Sequence, residues 1–122
     1  MLTKSERAIM ELLWSTPDAL SCSDIIDRID DRLWESSYTY PLLRSLRQKG
    51  FVHFHLSDKR YPKRYRPAIT KAQYIIYEYF GDHPSGKDIK EIIQSALEKV
   101  DNIEDLSAIE LYVVSSKVKF KS

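Results

Sequence analysis

A chain of 122 residues, 43% hydrophobic and 30% charged, suffices for one compact domain or for a small domain with an oligomerisation segment. No run approaches the roughly 20 apolar residues of a membrane helix, and the charged opening Met1–Glu6 does not read as a signal peptide. A single cysteine, Cys22, excludes an internal disulfide and a cysteine cage for zinc, so a cytoplasmic protein without a membrane partner is expected.

The net charge of +1 conceals an asymmetry. Residues 1–33 carry four basic and seven acidic side chains, residues 34–71 nine basic and two acidic, and residues 72–122 six basic and nine acidic. A basic middle third between acidic flanks suits a polyanion approached from one face.

Thr3-Lys4-Ser5-Glu6 has the form of a capping box, with Ile9, Leu12 and Leu13 following at helical spacing until Thr16-Pro17. Ser21, with Asp24 three residues on, caps a short second helix buried through Ile25, Ile26 and Ile29. Ser36 or Ser37 opens a third helix that reaches Lys49 and stops at Gly50. Thr39, Leu42, Leu43 and Leu46 cluster on one side of it; Ser37, Tyr40, Pro41, Arg44, Ser45 and Gln48 lie opposite, with Arg47 and Lys49 on the flanks. With Ser37 as cap, Pro41 falls in the first turn, where no intrahelical bond is lost.

After Gly50 the period becomes alternating. Phe51 to Leu56 predicts a strand with Val52, Phe54 and Leu56 on one face and His53 and His55 on the other. A polar turn, Ser57 to Arg60, leads to a second strand near Lys63 to Pro67, which Pro62 restricts to an edge or a loop. Three short helices and a basic hairpin make a winged helix-turn-helix. Three further helical segments follow, ending at Gly81, capped at Ser85, and opened by Asn102. The expected fold is therefore mainly α (α+β): a winged-helix DNA-binding domain over residues 1–70 and a helical dimerisation region over 71–122. Apolar surface beyond what so small a winged helix covers points to a homodimer interface through Tyr74, Ile75, Tyr77, Phe80, Ile92, Ile93 and Leu97.

The third helix suits the major groove of double-stranded DNA. Ser36 and Ser37 allow close approach and phosphate bonds, Tyr38 and Tyr40 offer hydroxyls and contact with thymine methyls, and Arg44 can fork to guanine. Gln48 shares that face, while Arg47 and Lys49 suit phosphate contacts. In the hairpin, Lys59, Arg60, Lys63 and Arg64 are the candidate wing contacts, and Tyr65 the candidate inward-facing anchor. His53 and His55 have a spacing compatible with a metal but no third ligand nearby, so no metal or other cofactor is assigned. Cys22, beside a helix N-terminus, has either a lowered pKa and redox sensitivity or an inert packing role. No glycine-rich phosphate loop, paired-carboxylate motif or nucleophile with its base is present, so an enzyme is not expected.

In Leu2-Thr3, Glu6, Ile9-Met10, Leu13-Trp14, Trp34 fifteen residues before Lys49-Gly50, Leu42-Leu43, Leu46 and Tyr65-Arg66-Pro67, with a polar stretch to Tyr74, the sequence resembles the penicillinase-repressor (BlaI/MecI/CopY) family of winged-helix regulators. That resemblance covers residues 2–74. It implies a homodimeric repressor on a palindromic operator, with the third helix in the major groove and C-terminal helices joining the subunits. Such regulators control β-lactam resistance or copper-handling genes and are relieved by proteolysis or metal. Tyr38-Thr39-Tyr40-Pro41 replaces the family's usual Thr-hydrophobic-x-Thr, Ser45 stands where an Arg is usual, and the cysteine-rich tail of copper-responsive members is absent. The stretch Tyr40-Pro41-Leu42-Leu43 is also similar to PadR winged-helix regulators. A winged helix that binds protein without binding DNA is the alternative from another class.

Overall fold

The computed structural model describes residues 1–29, 34–55 and 62–121. Its described elements are α1 (Lys4–Ser15), β1 (Leu20–Ser21), α2 (Cys22–Arg28), α3 (Thr39–Gln48), β2 (Val52–His55), β3 (Arg64–Pro67), α4 (Lys71–Phe80), α5 (Gly86–Leu97) and α6 (Ile103–Lys117), with 3-10 turns at Ser36–Tyr38 and Val118–Phe120. The chain divides into two compact units, Met1–Tyr79 and Phe80–Ser122.

In the first unit, both expected capping boxes form. The Glu6 amide donates to Thr3 Oγ1 at 3.2 Å and the Thr3 amide to Glu6 Oε1 at 2.8 Å; Ser21 and Asp24 make the same reciprocal pair at 3.1 and 3.0 Å. A third, Thr70 with Gln73, starts α4. The end of α3 is closed by a Schellman motif: Gly50 takes φ +83°, its amide donates to the Arg47 carbonyl, and the Phe51 amide donates to the Leu46 carbonyl.

The start of α3 differs from expectation. Ser36–Tyr38 form a 3-10 turn and the α-helix proper begins at Thr39, so Pro41 is its third residue. It still lies within the first turn, where its missing N–H has no partner to lose.

The sheet brings a second correction. Its order is β1-β3-β2, antiparallel throughout, so β3 is the central strand. Pro62 does not confine it to an edge because the ladder begins two residues later, at Arg64. The partner on β3's far side, Leu20–Ser21, is only two residues long and carries no period that could announce it.

Ile9, Met10, Leu13, Leu20, Ile25, Leu43, Leu46, Phe51, Val52, Tyr65 and Tyr74 form one buried core. It joins the helix-turn-helix, the sheet and α4. Tyr74, expected at a dimer interface, is fully buried within this core. Its ring meets Phe51 edge-on at 5.6 Å and Trp14 at 5.8 Å, and its hydroxyl accepts from the Leu2 amide at 3.3 Å. Arg7 Nη2 donates to both carboxylate oxygens of Glu78, at 2.8 and 2.9 Å, fastening α1 to α4.

In the second unit, Ser85 and Asn102 cap α5 and α6 as expected, accepting from Asp88 and Asp105 at 3.1 and 2.8 Å. The apolar side chains of α6 are distributed around its whole circumference, and Ile103, Leu111, Tyr112 and Val114 are exposed.

Candidate nucleic-acid interface

What α3 offers to solvent follows from how its first turn is fixed. Trp34 Nε1 donates to Thr39 Oγ1 at 2.9 Å, and Thr39 is fully buried. With Thr39, Leu43 and Leu46 turned into the core, the helical period places Tyr40, Arg44 and Gln48 outward at successive four-residue intervals. All three are exposed, as are Ser36, Ser37 and Tyr38 before them. Tyr38 and Tyr40 keep 58% and 47% of their surface in water. The expected recognition residues Ser36, Ser37, Tyr38, Tyr40, Arg44 and Gln48 thus occupy one accessible surface.

The flanking cations divide into two groups. Arg47 stays exposed, but its guanidinium carbon lies 4.2 Å from the centroid of Phe54 on β2. Lys63 approaches the same ring at 4.7 Å and donates to the Tyr40 hydroxyl at 3.3 Å. Phe54 therefore gathers one cation from α3 and one from the hairpin, close to Tyr40. In the sequence Phe54 belongs to a strand face, and its aromatic type among basic neighbours is the one sign of this second role.

Lys49 and Arg64 are committed elsewhere. Lys49 Nζ pairs with Glu6 Oε1 at 2.7 Å and donates to the Met1 carbonyl at 3.2 Å, an internal ion pair beside its expected phosphate contact. Glu6 is 1% exposed, and Ser45 Oγ donates to its other oxygen at 2.8 Å. That bond also turns Ser45 away from the outward face on which the helical wheel had set it. Burial alone would raise the Glu6 pKa, but the hydrogen bonds from Lys49, the Thr3 amide and Ser45 outweigh it and lower it from 4.5 to about 2.

Arg64 pairs loosely with Asp24 Oδ2 at 3.4 Å and reaches the Ala19 carbonyl at 3.5 Å, which ties it to the start of α2. The Ser21 amide and hydroxyl hold the Asp24 carboxyl below the usual carboxylate range. Lys59 and Arg60, the expected wing contacts, lie outside the described residues.

His53 and His55 share the outer sheet face with Arg66 and Arg64, their cross-strand partners. Among the described residues no group of three or more His, Cys, Asp or Glu could hold a metal ion. Burial pushes the Cys22 thiol up, opposite to the shift a redox-sensitive cysteine needs. Of the expected interface residues besides Tyr74, Ile75, Tyr77, Phe80, Ile93 and Leu97 are exposed and Ile92 is half-buried. Among the described residues no helix is long and apolar enough to cross a membrane.

No curated protein sequence matches the chain. Among solved structures it is similar to MepR, a transcription regulator of the Staphylococcus aureus multidrug efflux pump MepA, at 16% identity and TM-score 0.48, covering 98% of this chain and 81% of that one. It is also similar to AF1382 from Archaeoglobus fulgidus, at 15% identity and TM-score 0.47, covering 83% and 94%. The penicillinase repressor family model matches residues 2–110, well past Tyr74, where the resemblance read from the sequence stopped. With a winged helix whose third helix presents a polar and aromatic face, the chain belongs to the penicillinase repressor family of DNA-binding transcription regulators.

Proposed function

We propose that the protein is a sequence-specific repressor that binds a palindromic operator as a homodimer, α3 of each subunit lying in the major groove. The observation that carries this reading is the division of α3: Thr39, Leu43 and Leu46 are buried while Tyr40, Arg44 and Gln48 stand in solvent at one-turn intervals. Such a row spans successive base pairs of a groove roughly 12 Å wide. Arg47 and Lys63, gathered at Phe54, supply positive charge for flanking phosphates.

Dimerisation is supported by the apolar surface of the second unit. The apolar side chains of α6 are spread around its axis, and it exposes 67% of Leu111 and 73% of Tyr112, apolar surface that a partner would cover. A second copy meeting the first through Ile75, Tyr77, Phe80, Ile92, Ile93 and Leu97, with α6 contributing, would cover this surface and set two recognition helices on a symmetric site. Residues 71–122 then act as the dimerisation region and residues 1–70 as the DNA-binding domain.

The test is to titrate the purified protein with a random-sequence duplex pool at near-physiological salt and sequence what is retained. Enrichment of a two-fold symmetric motif is expected. Retention without any enriched motif, vanishing as salt rises, would remove the repressor reading and favour a protein partner.

A further inference from the structure

Arg7, Lys49, Arg64 and Lys71 each pair with a carboxylate, at 2.8, 2.7, 3.4 and 2.9 Å. Arg47 and Lys63 are held differently: among the described residues neither has a carboxylate partner. Both lie against one ring, Phe54, with the Arg47 guanidinium carbon 4.2 Å and the Lys63 ammonium 4.7 Å from its centroid. Arg47 comes from α3 and is exposed, whereas Lys63 precedes β3 and is half-buried.

The difference is electrostatic. A carboxylate fixes a cation and cancels its charge. An aromatic face attracts a cation through its quadrupole and, having no net charge, leaves the positive charge intact. Long Arg and Lys side chains otherwise lose rotamer freedom on meeting a phosphate, and a ring that restricts them beforehand removes part of that cost. Phe54 is itself well supported. It is half-buried, pairs across the ladder with Tyr65 of the core, and packs on that ring at 5.8 Å. Lys63 is tied a second time, by its 3.3 Å hydrogen bond to the Tyr40 hydroxyl.

We propose that Phe54 is a positioning residue for DNA binding: without contacting DNA itself, it holds Arg47 and Lys63 in place, with their charge uncancelled, for two phosphate contacts. The proposal rests on the reading that α3 enters the major groove. It adds that an aromatic ring orders two of the phosphate-binding groups before DNA arrives.

The full-length unmodified chain is compared with Phe54→Leu, which stays apolar but has no aromatic face, and with Phe54→Tyr, which keeps the face. Affinity for a random-sequence duplex is measured over a series of salt concentrations. Phe54→Leu should bind about fivefold more weakly, and its logarithmic salt dependence should flatten by up to about two units. Phe54→Tyr should retain the unmodified slope. A merely weakened fold lowers the binding-competent fraction and leaves the slope unchanged. Without DNA, the Arg47 Nε–H resonance, assigned by its loss in Arg47→Lys, should show an upfield ring-current shift in the unmodified chain and Phe54→Tyr, and lose it in Phe54→Leu. If Phe54→Leu does not fold, Phe54→Met takes its place in both measurements. The proposal is overturned by an unchanged salt slope in the variant without the ring, by an equal loss of slope in Phe54→Tyr, or by an Arg47 resonance that ignores the ring. An unmodified chain that binds no duplex would overturn the repressor reading together with this one, whereas intact binding indifferent to Phe54→Leu overturns the proposal alone.

Discussion

Lys49, the residue that caps the C-terminal end of α3, forms an ion pair of 2.7 Å with Glu6, two residues into the first helix and almost completely buried. The pair joins positions 43 residues apart and fixes the C-terminal end of α3 against α1. Glu6→Gln would leave the Lys49 amine without its counter-charge; because that amine still reaches water, the loss of stability at neutral pH should be about 1–3 kcal/mol. The chemical denaturation midpoint checks it.

The same carboxylate sets an acid limit. Because its pKa is about 2 in the folded chain against an ordinary 4.5, its contribution is complete above about pH 4.5 and disappears as pH falls through 2. The difference corresponds to roughly 3 kcal/mol. Unfolding of the unmodified chain and of Glu6→Gln, compared between pH 6 and 2, should converge as pH falls. A constant gap would show that the Glu6 charge is not the source.

Tyr74 belongs to the core, so its replacement should act on folding of the first unit. Tyr74→Ala removes a fully buried ring packed on Trp14 and Phe51 and should cost about 3–5 kcal/mol. Tyr74→Phe loses only the hydrogen bond from the Leu2 amide, about 1 kcal/mol. The melting of both variants should be independent of protein concentration in its difference from the unmodified chain, which a dimer-interface role would not allow.

Gly50 sits at φ +83° with open space where a Cβ would go. Gly50→Ala should therefore cost only the left-handed backbone penalty, about 1 kcal/mol, with no steric addition. Equilibrium unfolding measures it.

Arg44→Ala should relax base preference at one position of each half-site, a loss of roughly 1–3 kcal/mol of discrimination, while leaving non-specific affinity nearly unchanged. Selection from the random duplex pool reads this directly; an unaltered motif would place Arg44 off the bases.

Replacing Lys59 and Arg60 together with Ala should weaken binding to all duplexes alike and flatten the logarithmic salt dependence by up to about two units. A slope unchanged by the double replacement would take the wing off the phosphate backbone.

Local chemistry in the sequence was enough to read the caps at Thr3, Ser21, Ser85 and Asn102, the stop at Gly50 and the outward face of α3. Each of these depends on residues within one or two turns of one another. What escaped is non-local. Glu6 was legible as a capping residue, and its hydrogen bond to the Thr3 amide is real, but the same carboxylate also receives Lys49 and Ser45 from a distant helix. Lys49 and Arg64 read as free cations because their partners, Glu6 and Asp24, are far along the chain. Tyr74 shared its segment with exposed Ile75 and Tyr77, and only the packing of Trp14 and Phe51 selects which of the three is internal.

Ser21 pairs with Arg64 as the last residue of β1 and at the same time caps α2. The hairpin and the helix-turn-helix are consequently joined through one residue: sliding β3 by a single position would turn Tyr65 out of the core and part Arg64 from Ser21, the residue that caps α2. Residues inserted or removed between the two hairpin strands leave that junction untouched. Relatives of this chain should vary freely in the length of that connection, while the phase of β3 against Leu20 and Ser21 is held constant.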